Sequence, residues 1–139
     1  MIFSLRAGIL GAGLGSRLKT AAGAKPLAPL KGGKNLLEIL LERFRLNGIK
    51  EIACALRAEL ITEDLRAHLP QTAGLSYLFV NTESSLHTLA ELIGKLGTSS
   101  PVLFSMADTV LLAEDLSRFV AFCAALPRGE SAVLVTPFV

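Results

Sequence analysis

Glycines and cations stand together near the start of the chain in a spacing that suits a phosphate-binding loop. Residues 7–30 read AGILGAGLGSRLKTAAGAKPLAPL, in which an apolar run breaks into alternate glycines at 11–15 and is followed by Arg17 and Lys25. Glycines leave backbone N–H groups open to an anion, because no side chain blocks the approach. The stretch therefore predicts a loop that binds phosphate groups, with cations within reach.

Two better-known phosphate motifs fit this stretch poorly. A dinucleotide-binding fingerprint needs a third glycine where this chain has Ser16, and an acidic residue about twenty positions further on to hold a ribose. Glu38 comes too late for that role. A Walker-type loop needs Ser or Thr after Gly-Lys, where Asn35 stands, and a glycine where Ala28 stands. A plain glycine-rich turn between a strand and a helix remains the structural alternative.

Length and charge narrow the class of protein. The chain has 139 residues, 51% of them hydrophobic, and a formal net charge of +2. We expect one domain over residues 1–139, with too little positive charge to bind nucleic acid. Residues 1–50 hold nine Lys and Arg against two Asp and Glu, whereas the remainder holds five against ten. This division fits a basic lobe that faces phosphates, and ordinary surface scatter is the alternative.

The apolar segments and the cysteines of the sequence predict a cytoplasmic protein. No uncharged apolar run approaches the roughly eighteen residues of a membrane span, so we expect no membrane partner. Cys54 and Cys123 lie far apart in apolar surroundings, without partners at metal-binding spacing, and we expect both to be buried thiols. The sequence is compatible with a homo-oligomer and does not decide the oligomeric state.

Strand and helix patterns alternate along the chain. Strands are predicted at 2–12, 51–56, 75–80, 101–106 and 131–135. Helices are predicted from a capping box of Asn35 and Glu38 to Asn47, from near Thr62 to before Pro70, from Ser84 or Ser85 to Gly97, and around 116–123. The apolar stripe of the third helix is predicted to comprise Leu86, Leu89, Ile93 and Leu96.

Such alternation predicts right-handed βαβ units. We expect an α/β fold with a doubly wound, mostly parallel sheet between two helical layers, a Rossmann-like three-layer α/β/α architecture. In such sheets, ligands bind at the carboxyl ends of the strands, where the strand order reverses. The glycine loop and Asp108 both follow predicted strands, so both are expected at that edge.

Two segments carry a family resemblance. Residues 10–18, LGAGLGSRL, and residues 25–30, KPLAPL, resemble the nucleotidyltransferases of the sugar-phosphate and molybdopterin type. The combination of Arg17 with the later Lys-Pro-Leu is the more specific part, and the resemblance extends over nearly the whole chain. It implies the fold of the nucleotide-diphospho-sugar transferases.

The resemblance implies how a nucleoside triphosphate would bind. Arg17 is expected on the leaving pyrophosphate, where its planar guanidinium suits two phosphate oxygens, and Lys25 is expected near the α-phosphate or the acceptor. Backbone amides are expected to cradle the triphosphate and to contact the base. They belong to Leu10, Gly11, Ala12, Gly13, Gly15 and Ser16.

Asp108, in the segment FSMADTVL, matches the metal-binding aspartate of this family. The resemblance implies that it holds Mg²⁺, a cation that prefers oxygen ligands. A helix N-cap or a turn is the alternative role for this aspartate. Glu114 and Asp115 follow closely, but we interpret them as first-turn residues that complement a helix dipole.

Asn81 and Ser85 occupy the segment in which family members recognise the nucleobase. An amide and a hydroxyl can read the edges of a base, and the same residue types cap helices. Both interpretations stay open from the sequence.

The function implied is Mg²⁺-dependent transfer of a nucleoside monophosphate from a nucleoside triphosphate to a phosphorylated small molecule, with release of pyrophosphate. The acceptor is a sugar phosphate, a phosphocholine-like molecule or a cofactor precursor. Family members run well past position 139, and their later part supplies a second metal carboxylate, so we expect this chain to be truncated on its C-terminal side. The alternative is a nucleotide-binding regulatory domain of the same fold.

Overall fold

The computed structural model describes residues 5–13, 27, 30, 32–109 and 111–134. These residues divide into two compact units, one within Ser4–Val110 and one within Leu111–Val139. The described part of the first unit contains four strands and three α-helices, with a 3₁₀ helix at Ala58–Leu60. In chain order they are β1 (Arg6–Gly11), α1 (Leu36–Leu46), β2 (Ile52–Arg57), α2 (Glu63–Ala67), β3 (Leu75–Val80), α3 (Ser85–Leu96) and β4 (Val102–Met106), and the second unit contains α4 (Ala113–Ala124).

All four strands are parallel, in the order β3-β2-β1-β4. Ala7 of β1 lies opposite Ile52 of β2 on one side and opposite Leu103 of β4 on the other. The inner strands β1 and β2 are almost wholly buried. Their near-continuous apolar sequences are typical of parallel strands that are covered on both faces.

Helices cover both faces of this sheet. The chain runs outward from β1 through β2 to β3 and then crosses back to β4 on the other side of β1. Because such connections are right-handed, α1 and α2 lie on one face and α3 on the opposite face. Leu92 and Leu96 of α3 pack in one apolar cluster with Ala53 and Ala55 of β2. The predicted doubly wound, three-layer α/β/α fold is confirmed.

The first helix forms as its sequence predicts. Asn35 is its N-cap, and its side chain accepts from the backbone N–H of Glu38 over 2.8 Å. Glu38 completes the capping box by accepting from the backbone N–H of Asn35 over 3.3 Å. The helix ends at Asn47, followed by Gly48 at a φ of +77°.

Of the predicted range 2–12, the first strand occupies Arg6–Gly11, while Leu5 and Ala12 are not part of it and residues 2–4 lie outside the described residues. Arg6 is buried, and its guanidinium donates to the carbonyls of Leu96, Gly97 and Ser100. The last carbonyls of a helix lack partners within the helix. Arg6 supplies such partners, which explains a charged residue inside an otherwise apolar strand.

The predicted stripe of α3 is partly wrong. Its buried residues are Thr88, Leu92 and Leu96, whereas Leu86 is 72% exposed. The helix is apolar over more than one face, so spacing alone leaves its orientation open. Thr88 turns inward because its hydroxyl lies 2.6 Å from that of Thr82 and also donates to the carbonyl of Ser84.

The fifth strand predicted at 131–135 is absent from residues 131–134. Val133 there is 82% exposed. An apolar, β-branched segment becomes a strand only where a neighbouring strand pairs with its backbone. Residue 135 lies outside the described part of the chain.

Among the described residues, no helix combines the length and apolar character needed to cross a lipid bilayer.

Candidate functional site

The carboxyl ends of the four strands meet at one edge of the sheet. The segments that follow them there are 12–13 after β1, 58–60 after β2, 81–84 after β3 and 107–109 after β4. The strand order reverses beside β1, because β2 and β3 lie on one side of it and β4 on the other. A parallel sheet binds its ligand at such a reversal.

The glycine loop begins at this edge. Leu10 and Gly11 are the last residues of β1, and Ala12 and Gly13 follow it. The remaining predicted members of the loop and its cations, Gly15, Ser16, Arg17 and Lys25, lie outside the described residues.

Gly11 and Gly13 meet different surroundings. A Cβ on Gly11 would lie 2.9 Å from the carbonyl oxygen of Ala55 and 3.2 Å from the Cβ of Ala107. Among the residues that the structure describes, none apart from its chain neighbours has an atom within 4 Å of a Cβ built on Gly13. Gly11 therefore allows the strands to pack, whereas Gly13 is not crowded by any of the described residues and presents its backbone without a side chain.

Asp108 lies beside this loop. The backbone N–H of Ala107 donates to the carbonyl of Leu10 over 2.9 Å, which brings the end of β4 against the end of β1. Asp108 is the next residue, exposed in a turn that the N–H of Thr109 closes onto the carbonyl of Met106 over 3.4 Å. The N-cap of α4 is Leu112, so Asp108 is not a helix cap.

Asn81 and Ser85 lie at the same edge, after β3. The side-chain oxygen of Asn81 accepts from the backbone N–H of Glu59 over 3.1 Å. Ser84 is the N-cap of α3, accepting from the backbone N–H of His87 over 3.3 Å. Ser85 is the first residue of the helix and is exposed. The capping role therefore belongs to Ser84.

Arg57 also lies at this edge of the sheet, although no sequence motif indicated it. It is the last residue of β2, and its Nη1 donates to the carbonyl of Ala12 over 3.0 Å and to that of Thr82 over 2.9 Å. Its Nε donates to Glu59 Oε1 over 2.7 Å. An arginine directly after the buried run IACAL, at the carboxyl end of a strand, is the sequence feature that could have indicated it.

The described side chains offer limited means of holding a metal. They contain no group of three or more His, Cys, Asp or Glu that could coordinate an ion. Mg²⁺ commonly takes one or two carboxylates and completes its coordination with waters and substrate phosphates. Asp108, exposed in the turn that follows β4, carries an oxygen ligand of the type that this mode of binding uses.

Two groups with raised pKa values lie inside the sheet. Burial raises the pKa of the Cys54 thiol to about 12. Tyr77 lies opposite Cys54 in the sheet register; burial, and to a lesser degree Cys54, raises its pKa. Its hydroxyl donates to the carbonyl of Pro70 over 2.7 Å. Cys54 is buried as predicted, whereas Cys123 is only partly buried.

A parallel α/β sheet with a glycine loop and a carboxylate at its strand reversal defines the class of nucleotide-binding α/β domains. Comparison with protein families places the chain within that class. The MobA-like NTP transferase domain matches residues 7–138, so the chain belongs to this family. The predicted family is confirmed.

Solved structures show the same fold. The structure of Rv0371c from Mycobacterium tuberculosis H37Rv matches with a TM-score of 0.66 and 19% identity, over 90% of this chain and 63% of that one. The 4-diphosphocytidyl-2C-methyl-D-erythritol synthase of Anaerococcus prevotii DSM 20548 matches with a TM-score of 0.59 and 22% identity, over 88% and 52%. The chain thus spans less than two thirds of the length of either. A search of curated protein sequences finds no match.

Proposed function

We propose that this chain is the nucleotide-binding part of a Mg²⁺-dependent nucleotidyltransferase. The enzyme would transfer a nucleoside monophosphate from a nucleoside triphosphate to a phosphorylated small molecule. The observation that carries the proposal is the contact between the ends of β1 and β4. It sets Asp108 near the glycine-containing segment that follows β1, where the strand order reverses.

The reaction requires positioning more than covalent help. A phosphate oxygen of the acceptor attacks the α-phosphorus of the triphosphate, a new P–O bond forms, and the bond to the β-phosphate breaks as pyrophosphate leaves. The acceptor oxygen is already a nucleophile, so catalysis depends on orientation and on charges placed near the phosphates.

Each requirement has a candidate in this chain. The backbone from Ala12 onward would cradle the phosphates, Arg17 would bind the departing pyrophosphate, and Lys25 would lie near the α-phosphate or the acceptor. Asp108 would hold Mg²⁺ together with phosphate oxygens. When bound, the ion neutralises negative charge on the phosphates.

The segment after β3 would bind the base. Asn81 is exposed there, and Ser85 is exposed on the first turn of α3. Because Ser84 already caps the helix, the hydroxyl of Ser85 is not required for that role. Sugar phosphates, phosphocholine-like molecules and cofactor precursors are the proposed acceptors, in a cytoplasmic setting.

A thermal-shift panel tests nucleotide binding. The four ribonucleoside triphosphates are added with and without Mg²⁺, and the matching nucleosides serve as controls. A ligand at a hundred times its dissociation constant stabilises a protein by about 2.7 kcal/mol. We expect at least one triphosphate to raise the melting temperature more with Mg²⁺ than without it, and a panel with no shift would contradict the proposal.

Turnover is tested separately, by pyrophosphate release in the presence of phosphorylated acceptors. Where this domain is part of a longer protein, that full-length protein is the preferred sample, since this chain covers only part of its structural relatives. Binding with pyrophosphate release supports the transferase. Binding without release from the full-length protein favours a nucleotide-binding regulatory domain.

A further inference from the structure

Arg57 lies between the two segments that the proposed function assigns to the two ends of a nucleotide. β2 is flanked by β1 and β3, and Arg57 ends it. Its Nη1 donates to the carbonyls of Ala12, after β1, and Thr82, after β3, over 3.0 and 2.9 Å. One guanidinium nitrogen thus connects the segment proposed to bind phosphates with the segment proposed to bind the base.

A second connection runs through Glu59. Its carboxylate accepts from Arg57 Nε over 2.7 Å, and its backbone N–H donates to the side-chain oxygen of Asn81 over 3.1 Å. Arg57 therefore reaches the backbone after β3 directly and the side chain of Asn81 through Glu59.

The environment of Arg57 suits a positioning role better than binding of phosphate. Its side chain is only 12% exposed, and the carboxylate of Glu59 lies against it as a counter-charge. A guanidinium is planar and holds its donors in fixed directions. With Nη1 and Nε both bonded to the protein, this group fixes distances between loops.

We propose that Arg57 is a positioning residue that sets the spacing between the segments after β1 and β3, so that the base and the phosphates of one nucleoside triphosphate bind at the same time. The inference rests on the proposed function. Base and phosphates are covalently joined, so the whole molecule binds more tightly than either fragment only when the two segments are held at a matching distance.

The test compares the whole ligand with its fragments. Binding of each ribonucleoside triphosphate with Mg²⁺ is measured by calorimetry, and binding of the matching nucleosides and of inorganic tripolyphosphate by ligand-observed NMR. In Arg57→Met we expect affinity for the triphosphate to fall by about 10- to 100-fold, because part of the advantage of binding two linked groups at once, on the order of 10²- to 10⁴-fold, is lost. Each fragment is expected to change less than about twofold.

Arg45 offers a matched control. Its Nη2 donates to Thr72 Oγ1 over 2.6 Å and to the carbonyl of Ala73 over 2.8 Å, just before β3 and hence at the opposite edge of the sheet. Arg45→Met removes a comparable set of hydrogen bonds away from the site, and we expect it to keep the parent affinity for all three ligands.

Arg57→Lys measures how much the planar group contributes. An ammonium can donate to both carbonyls, but it lacks the separate Nε donor that holds Glu59. We expect the triphosphate affinity of Arg57→Lys to lie between that of the parent and that of Arg57→Met. If Arg57→Met fails to fold by circular dichroism, the same comparison of whole ligand and fragments is made with Arg57→Lys.

Several results would overturn the positioning role. The first is an unchanged triphosphate affinity in the Arg57 variants. The second is a loss of affinity that is equal for the triphosphate and for its fragments. The third is a loss of triphosphate affinity in Arg45→Met that equals the loss in Arg57→Met. A parent protein that binds no nucleoside triphosphate would instead overturn the proposed function, and this inference with it. The two failures are therefore distinguished by the parent measurement.

Discussion

The backbone N–H of Ala107 donates to the carbonyl of Leu10 over 2.9 Å, and this hydrogen bond joins two residues that are far apart in the chain. It holds the end of β4 against the end of β1, so that Asp108 lies next to the glycine loop. The proposed site depends on this contact, because neither segment alone brings a carboxylate to a phosphate-binding backbone.

Asp108→Asn should remove the effect of Mg²⁺ on triphosphate binding. Asparagine keeps the shape and hydrogen-bonding capacity of this exposed side chain but removes its charge. Affinity without metal should stay the same or rise slightly, because repulsion between carboxylate and phosphates is relieved. Binding isotherms with and without Mg²⁺ check this for both proteins. A Mg²⁺ effect that persists in the variant, or that is missing from the parent, would argue against a metal role for Asp108.

Arg17→Ala should weaken triphosphate binding far more than nucleoside binding. A charge-assisted contact to phosphate would be lost while contacts to the base remain, at a cost of roughly 1.5–3 kcal/mol. Calorimetry with both ligands measures the difference. Equal triphosphate affinity in variant and parent would exclude the assigned role.

Substitutions in the segment that follows β3 should distinguish residues that recognise the base from the residue that caps α3. Ser84→Ala removes the N-cap and should lower the free energy of unfolding by about 1 kcal/mol without changing base preference. Asn81→Ala and Ser85→Ala should shift the preference among the four triphosphates. A competition assay gives the preference and thermal melts give the stability; an unchanged preference in both site variants would contradict base recognition here.

The glycines of the loop provide a matched pair. Gly11→Ala places a Cβ 2.9 Å from the carbonyl oxygen of Ala55, and such overpacking should cost about 1–3 kcal/mol of stability. Gly13→Ala places its Cβ more than 4 Å from every described residue outside its chain neighbours, and it should leave stability within about 0.5 kcal/mol of the parent while lowering triphosphate affinity. Denaturant melts and binding isotherms test both variants. A stability loss confined to Gly13→Ala would contradict the assignment of Gly11 to strand packing and of Gly13 to ligand binding.

Cys54 should make stability depend on alkaline pH. Its pKa is raised from 9.0 to about 12 in the folded protein, so the folded state keeps a proton that the unfolded state releases. The free energy of unfolding should therefore fall as pH rises from about 9 toward 12. Chemical denaturation across this range should show a shallower decline in Cys54→Ala than in the parent. Parallel declines in the two proteins would exclude this contribution.

Most of the fold follows from local patterns. The capping box of Asn35 and Glu38, the strand at 75–80 and the end of α3 at Gly97 lie where sequence places them, since caps and periodicity act between near neighbours. The predicted strand at 131–134 and the predicted apolar stripe of α3 were wrong, because strand formation and helix orientation depend on pairing or packing with a distant segment.

The sequence by itself determined the family, the alternation of strands and helices, and the residue types available for binding phosphate. Those features depend on motif spacing within short stretches of chain. Only the tertiary structure decided that Ala107 meets Leu10 and that Arg57 connects the segments after β1 and β3. These contacts depend on strand order and register, which are set by packing of the whole sheet rather than by any one segment.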